Sequence, residues 1–154
     1  MKILRIQGKN LASIAGEFDI DFTAAPLRSA GIFAICGPTG AGKSTILDAI
    51  CLALFNNMPR TTGIEGTKMP DVGQEFIQQG DRRQILRRGT AEAMAAVEFI
   101  AVDGKSYRSV WRVWRANNKI SGKLQPAELR VYPLGDPSPI TTGISESEHK
   151  LIQL

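Results

Sequence analysis

Cysteine is scarce. Cys36 and Cys51 are the only two, each inside an apolar run, a setting for buried thiols rather than for a disulfide or a metal site. Histidine is scarcer still, and the single His149 near the end of the chain reads as an exposed helix residue rather than a base or a ligand. Long hydrophobic runs are missing. No window reaches the roughly 18 consecutive apolar residues of a membrane span, and the N-terminus MKILRIQGKN lacks the apolar core of a secretory signal. The expectation is a cytoplasmic protein with no membrane partner. Charge of one sign is not in large excess either: 19 Lys and Arg against 15 Asp and Glu give a net +4, which permits an anionic partner without requiring one. No internal repeat or low-complexity segment is present. What remains, 154 residues at 43% hydrophobic composition, fits one globular domain.

The pattern of apolar residues sets out the elements. Residues 17–22, EFDIDF, alternate acid and apolar, as a half-buried strand does, with Phe18, Ile20 and Phe22 facing the core. Residues 3–7 make a partner, so an N-terminal antiparallel pair is expected. Residues 32–36 are continuously apolar, like a strand covered on both faces. From residue 44 to 55 the apolar positions Leu47, Ile50, Cys51 and Leu54 recur at helical spacing, widened by Ile46, Ala49, Leu52 and Ala53 into a helix buried nearly all round. Residues 56–92 are polar and interrupted by glycine and proline, the composition of a functional or mobile loop. Two strands, 95–102 and 105–115, then flank Asp103-Gly104, a tight-hairpin signal. A short strand follows at 128–132. The spacing of Ser145 and Glu148 is that of a capping box, placing a helix start near Ser145.

Between the apolar run and the buried helix lies GPTGAGKS, residues 37–44, which fits G-x-x-x-x-G-K-[ST] in full. Gly37, Gly40 and Gly42 let the backbone bend so that amides around Thr39 and Ala41 point at phosphate oxygens, and the helix behind adds the positive end of its dipole. Lys43 is placed to reach the β and γ phosphates, Ser44 to ligate Mg²⁺, and Thr45 to lie near the α phosphate. The candidate cofactors are ATP and Mg²⁺. A hydrolase of this type also needs an acidic residue at the end of a second apolar strand. Asp103 ends such a run but belongs to the Asp-Gly turn, so no catalytic residue is assigned.

From residue 104 to 127 there are six basic side chains and no acidic one. Strand alternation puts Arg108 and Arg112 on one face with Val110 and Trp114, and Tyr107, Trp111 and Val113 on the other. Arg108, Arg112, Arg115, Lys119 and Lys123 are candidate DNA contacts through phosphate neutralisation. The alternative is a twisted hairpin with solvated arginines and one tryptophan in the core. Arg82, Arg83, Arg87 and Arg88 form a second basic cluster, read as a solvated face.

Three stretches together, MKILRIQGKNLASIAGEFDIDF, FAICGPTGAGKSTILDAICLALF and ILRRGTAEAMAAVEF, resemble the start of the SbcC family of bacterial DNA-repair ATPases, whose partner is the nuclease SbcD. The similarity covers about the first 115 residues and, more loosely, the rest. It implies an α/β fold: a P-loop NTPase of the ABC-ATPase head type, here an N-terminal lobe of antiparallel hairpins plus the phosphate-loop strand and helix. Residues 1–154 would be the N-terminal portion of that head, with a phosphate loop at 37–45, a mobile loop at about 56–92 and a basic hairpin at about 95–115. The family implies that Asn10 and Ser13 approach the nucleotide, although the position at which many relatives carry arginine is Ala12. It further implies that the C-terminal half of the same head completes the sheet, that a second head closes over the ATP, and that closure regulates SbcD on DNA ends and hairpins.

The glutamine loop, signature loop, aspartate-glutamate pair and zinc tip of that family have no counterpart here. The sequence is thus expected to be a piece of a longer protein or an unusually short one, and to dimerise, aggregate or bind its missing half through exposed apolar surface. A non-catalytic nucleotide-binding or assembly module is the main alternative function, and a small-molecule P-loop kinase a weaker one, since the long antiparallel segment after residue 92 argues against one complete domain with an arginine-bearing lid and a substrate pocket.

Overall fold

The computed structural model describes every residue except Gly31, Thr62 and Glu65. Its centre is a five-stranded sheet built from β1 (Lys2–Leu11), β2 (Ile14–Asp21), β5 (Glu92–Ile100), β6 (Ser106–Trp114) and β7 (Glu128–Pro133), in the spatial order β2-β1-β5-β6-β7 with every neighbour antiparallel. Two helices, α1 (Lys43–Phe55) and α2 (Ile144–Gln153), cover one face. A separate two-stranded hairpin, β3 (Lys68–Pro70) with β4 (Phe76–Gln78), stands inside the 56–92 segment, which also holds short 3₁₀ turns at Pro59–Thr61 and Arg82–Ile85. Among the described residues no helix is long and apolar enough to cross a membrane.

Period-two alternation explains which side of the sheet is dry. On β6, Tyr107, Ser109, Trp111 and Val113 are buried beneath the helices while Arg108, Val110, Arg112 and Trp114 face outward, as the alternation requires. Trp111 and Val113 join Leu11, Ala49, Leu52, Ala95 and Leu129 in one core cluster; Val97, Phe99, Ala53 and Val131 form the second. Two polar groups inside the core are matched. The Ser109 hydroxyl donates to Ala53 O at 2.6 Å, and the Trp111 indole donates to the side-chain oxygen of Asn56 at 3.0 Å. Asn56 ends α1 in the left-handed conformation, at φ 49°, and its amide donates to Glu148 of α2 at 2.7 Å. That residue ties both helices to the sheet.

Several sequence expectations need correction. Residues 32–36 join neither sheet: Ile32 is 93% exposed, and both edges of the five-stranded sheet are held by other strands. A continuously apolar strand needs a neighbour on each side, and among the described residues none is offered. Instead Phe33 stacks at 4.7 Å on Phe22 and, with Ile35, rims an apolar groove floored by Ile3, Ile6, Leu47 and Ile50. For the same reason α1 is not buried all round, since Leu47 and Phe55 lie in solvent, and Cys36 is exposed while Cys51 is only half-buried. The capping contact of α2 is also shifted. Gly143 is the cap, and the Glu146 carboxylate accepts from the Thr142 amide and hydroxyl, while Ser147 turns inward to Leu129 O and Thr141.

Arg115 is a further correction. It is buried, and its guanidinium grips both carboxylate oxygens of Asp71 at 2.6 and 2.9 Å, pinning the β3–β4 segment to the end of β6. It is therefore removed from the candidate DNA contacts. The Arg115 hydrogen bonds hold the Asp71 carboxyl below its ordinary range against the opposing pull of burial. A carboxylate whose folded value is depressed stabilises the fold above about pH 4, its unfolded value, and loses that contribution as pH falls through the folded one. Asp71→Asn is expected to lower stability by about 2 kcal/mol at pH 7. In thermal melts against pH, the gap between wild type and variant should narrow below about pH 4; a gap independent of pH would contradict the assignment.

Candidate nucleotide-binding site

The glycine-rich loop is shaped by backbone geometry that only glycine adopts cheaply. Gly40 and Gly42 have φ of 84° and 91°, and Gly42 is the residue from which α1 departs. Gly42 is needed for a second reason. A Cβ there would lie 2.6 Å from the Ile14 side chain and 3.4 Å from the Ser13 hydroxyl, so the turn between β1 and β2 packs directly against the loop. Thr39, Gly40, Gly42, Lys43, Ser44 and Thr45 line a cleft of ≈ 300 Å³, closed on other sides by Ser13 and Arg60. The Lys43 ammonium donates to the carbonyls of Gly37 and Pro38 at 2.7 and 2.9 Å, and the Ala41 amide to Pro38 O. Thr45 is buried at the base and Ser44 is exposed at the rim.

The two residues suggested from the N-terminal segment part company. Ser13 lines the cleft, whereas Asn10 does not. The Asn10 amide donates to Glu92 O at 3.2 Å and its oxygen accepts from Gly16 N at 3.1 Å, which stabilises a turn whose Asn10 and Ala12 both have positive φ. Asn10 thus shapes the cleft wall from behind. That wall has a second support: the Arg87 guanidinium donates to the carbonyls of Ala12 and Ser13 at 3.0 and 2.8 Å, while the Ala12 amide donates to Ile85 O and the Arg87 amide to Asn10 O. The solvated-face reading of the arginine cluster therefore fails for Arg87, and for Arg83, which pairs with Asp81; Arg88 is exposed.

The remaining basic candidates do not merge into one cationic stripe. Arg108 and Arg112 sit on the outer face of the sheet, where Glu98 lies opposite Arg108 and Glu128 opposite Arg112. Lys9 bridges Glu17 and Glu92, and Arg5 pairs with Asp19, so the face alternates in sign. Lys123 pairs with Glu75 at 3.2 Å, and Lys119 is exposed in the following loop. Asp103 sits in the β5–β6 turn, accepting from Lys105 N and the Tyr107 hydroxyl, bonds that hold its carboxyl below the ordinary range.

A glycine loop opening a helix, a lysine within it and a cleft lined by hydroxyls is the arrangement of a nucleotide-binding P-loop. The family model described as AAA domain matches residues 5–146. The chain belongs to the AAA domain family. Nucleotide binding follows for this AAA domain. The chain is 53% identical over 135 residues to the SbcC subunit of the SbcCD nuclease of Pseudomonas aeruginosa, covering 87% of this chain and 11% of that protein. It is also 53% identical over 126 residues to the protein of the same name from Rhodobacter capsulatus, covering 81% of this chain and 10% of that one. A more distant relative is the Probable DNA double-strand break repair Rad50 ATPase of Aquifex aeolicus, 33% identical over 135 residues, or 88% of this chain and 11% of the relative. The AAA domain thus spans about a tenth of the length of the curated relatives it matches.

Proposed function

We propose that this chain is the ATP-binding part of an SbcC-like ATPase head that controls an SbcD-type nuclease in processing DNA double-strand breaks and hairpins in the cytoplasm. The observation that carries the reading is the cleft itself, Lys43, Ser44 and Thr45 at the start of α1 against Ser13 of the β1–β2 turn, in a chain 53% identical to the SbcC part of an SbcCD nuclease. Lys43 neutralises phosphate charge, loop amides hold the oxygens, and the α1 dipole adds to the attraction. Ser44 supplies one hydroxyl at the rim, a donor that suits Mg²⁺, which takes most of its remaining ligands from phosphates and water. Bound there, the ion would neutralise charge on the transferring phosphoryl group.

Hydrolysis is assigned to the assembled head. The C-terminal half of the same head is the proposed occupant of the groove beside Phe22, Phe33 and Leu47, and a second head is the proposed cover for the nucleotide. DNA contacts belong to that assembly rather than to the sign-alternating outer sheet. The test is Mg-ATP turnover by the chain with and without a separately expressed C-terminal half. Turnover only with both parts is expected. Turnover by the chain alone would make it a complete enzyme; binding without turnover in either case would make it an assembly module; phosphorylation of a small acceptor would make it a kinase.

A further inference from the structure

The sequence motif supplies one cation to the cleft, and the fold supplies another. Arg60 lies in the 3₁₀ turn Pro59–Thr61, just beyond α1, and lines the same cleft as Lys43. It is held there by Asp48, one turn behind Thr45 on α1, whose side chain is 7% exposed and forms an ion pair with the Arg60 guanidinium. A carboxylate that deep in a helix facing a sheet needs a cation to remain charged. A residue serving only that need would be buried with it. Arg60 instead keeps 49% of its side chain in solvent while lining the cleft. A guanidinium has five N–H donors in a rigid fork, so one edge can hold Asp48 while another meets an anion. No carboxylate lines the cleft among the described residues, and both charged side chains on its walls are cations.

We propose that Arg60 is a second phosphate-contacting cation of the nucleotide cleft, with Asp48 as the residue that positions it. This rests on the reading of the cleft as a nucleotide site. Asp48 carries no contact with the nucleotide itself; it anchors the guanidinium through a single approach of Arg60 Nη2 to its Oδ2.

The test is equilibrium binding of Mg-ATP and of inorganic tripolyphosphate to the chain, its Arg60→Gln, Asp48→Asn/Arg60→Gln and Lys43→Ala variants, and an Arg88→Gln control of equal charge loss at an exposed site. Arg60→Gln should weaken both ligands about tenfold, and Arg88→Gln should leave both unchanged. The double variant removes the buried carboxylate charge together with its partner, so it keeps α1 folded even where the single variant strains it. It should bind as weakly as Arg60→Gln. Wild-type affinity in the double variant would show that Arg60 only neutralises Asp48 and would overturn the proposal, as would an equal loss in Arg88→Gln. Loss confined to ATP, with tripolyphosphate unaffected, would reassign Arg60 to the nucleoside and overturn a phosphate contact. Absence of any Lys43-dependent binding by the wild-type chain would overturn the nucleotide reading itself, a result distinguishable from failure at Arg60 alone.

Discussion

Lys43→Ala should weaken Mg-ATP binding at least ~100-fold while leaving the melting temperature of the unliganded chain nearly unchanged. The separation of the two effects follows from the geometry. Lys43 is half-exposed, and among the described residues its ammonium bonds only to the carbonyls of its own loop; those carbonyls can turn to water when the side chain is removed, so folding loses little. The phosphates lose the lysine charge beside the loop amides, and a phosphate oxygen left without it has no comparable partner. Titration calorimetry alongside thermal melts measures both. Equal affinity in the variant would mean that the amides and the α1 dipole suffice and that the lysine has another task.

Trp111→Ala should have the largest effect on stability, about 3–5 kcal/mol by denaturant titration. The indole is fully buried at the centre of the core cluster, beneath Ala49 and Leu52 of α1, and removing it opens a cavity that small neighbours such as Ala49, Ala93 and Ala95 cannot fill. The polar edge adds to the loss. Asn56 accepts from the indole at 3.0 Å while donating to Glu148, so the variant leaves a buried oxygen without its donor. Trp111→Phe should recover most of the packing but not that hydrogen bond, and its deficit isolates the polar part. Trp114→Ala, on the outer face of the same strand, should cost less than half as much. Similar losses for Trp111→Ala and Trp114→Ala would reverse the inward and outward assignment of β6.

Where local pattern determines structure, the sequence was readable. The alternation over 17–22 and the Asp103-Gly104 turn produced β2 and the β5–β6 hairpin at nearly the residues expected, because side-chain period and turn chemistry act over a few residues. The glycine turns at Gly40 and Gly42 and the helix start that follows were readable for the same reason. Residues 32–36 were misleading, since a run of apolar residues reports what a segment requires and not whether a neighbour is present to satisfy it. The arginines were the least legible. Arg60, Arg83, Arg87 and Arg115 look alike in the sequence, yet they hold Asp48, Asp81, the β1–β2 turn and Asp71 respectively. Arg83 finds Asp81 two positions away, but nothing beside Arg60, Arg87 or Arg115 in the chain names its partner, which comes from tertiary folding; an acid such as Asp48 within an apolar helix was a clue that a cation must be nearby.

The wall of the cleft is assembled out of chain order. Ala12 and Ser13 are held by Arg87, which follows them by 75 and 74 positions, and the amide of Ala12 waits for the carbonyl of Ile85. During synthesis the glycine loop and α1 therefore emerge well before the segment that fixes the turn beside them. Contacts of such wide separation form late, because a long loop must close first. A nascent chain halted before residue 87 would carry the whole signature of the motif without the Arg87 contacts that hold Ala12 and Ser13. The wall beside the glycine loop is thus completed by an arginine outside the motif.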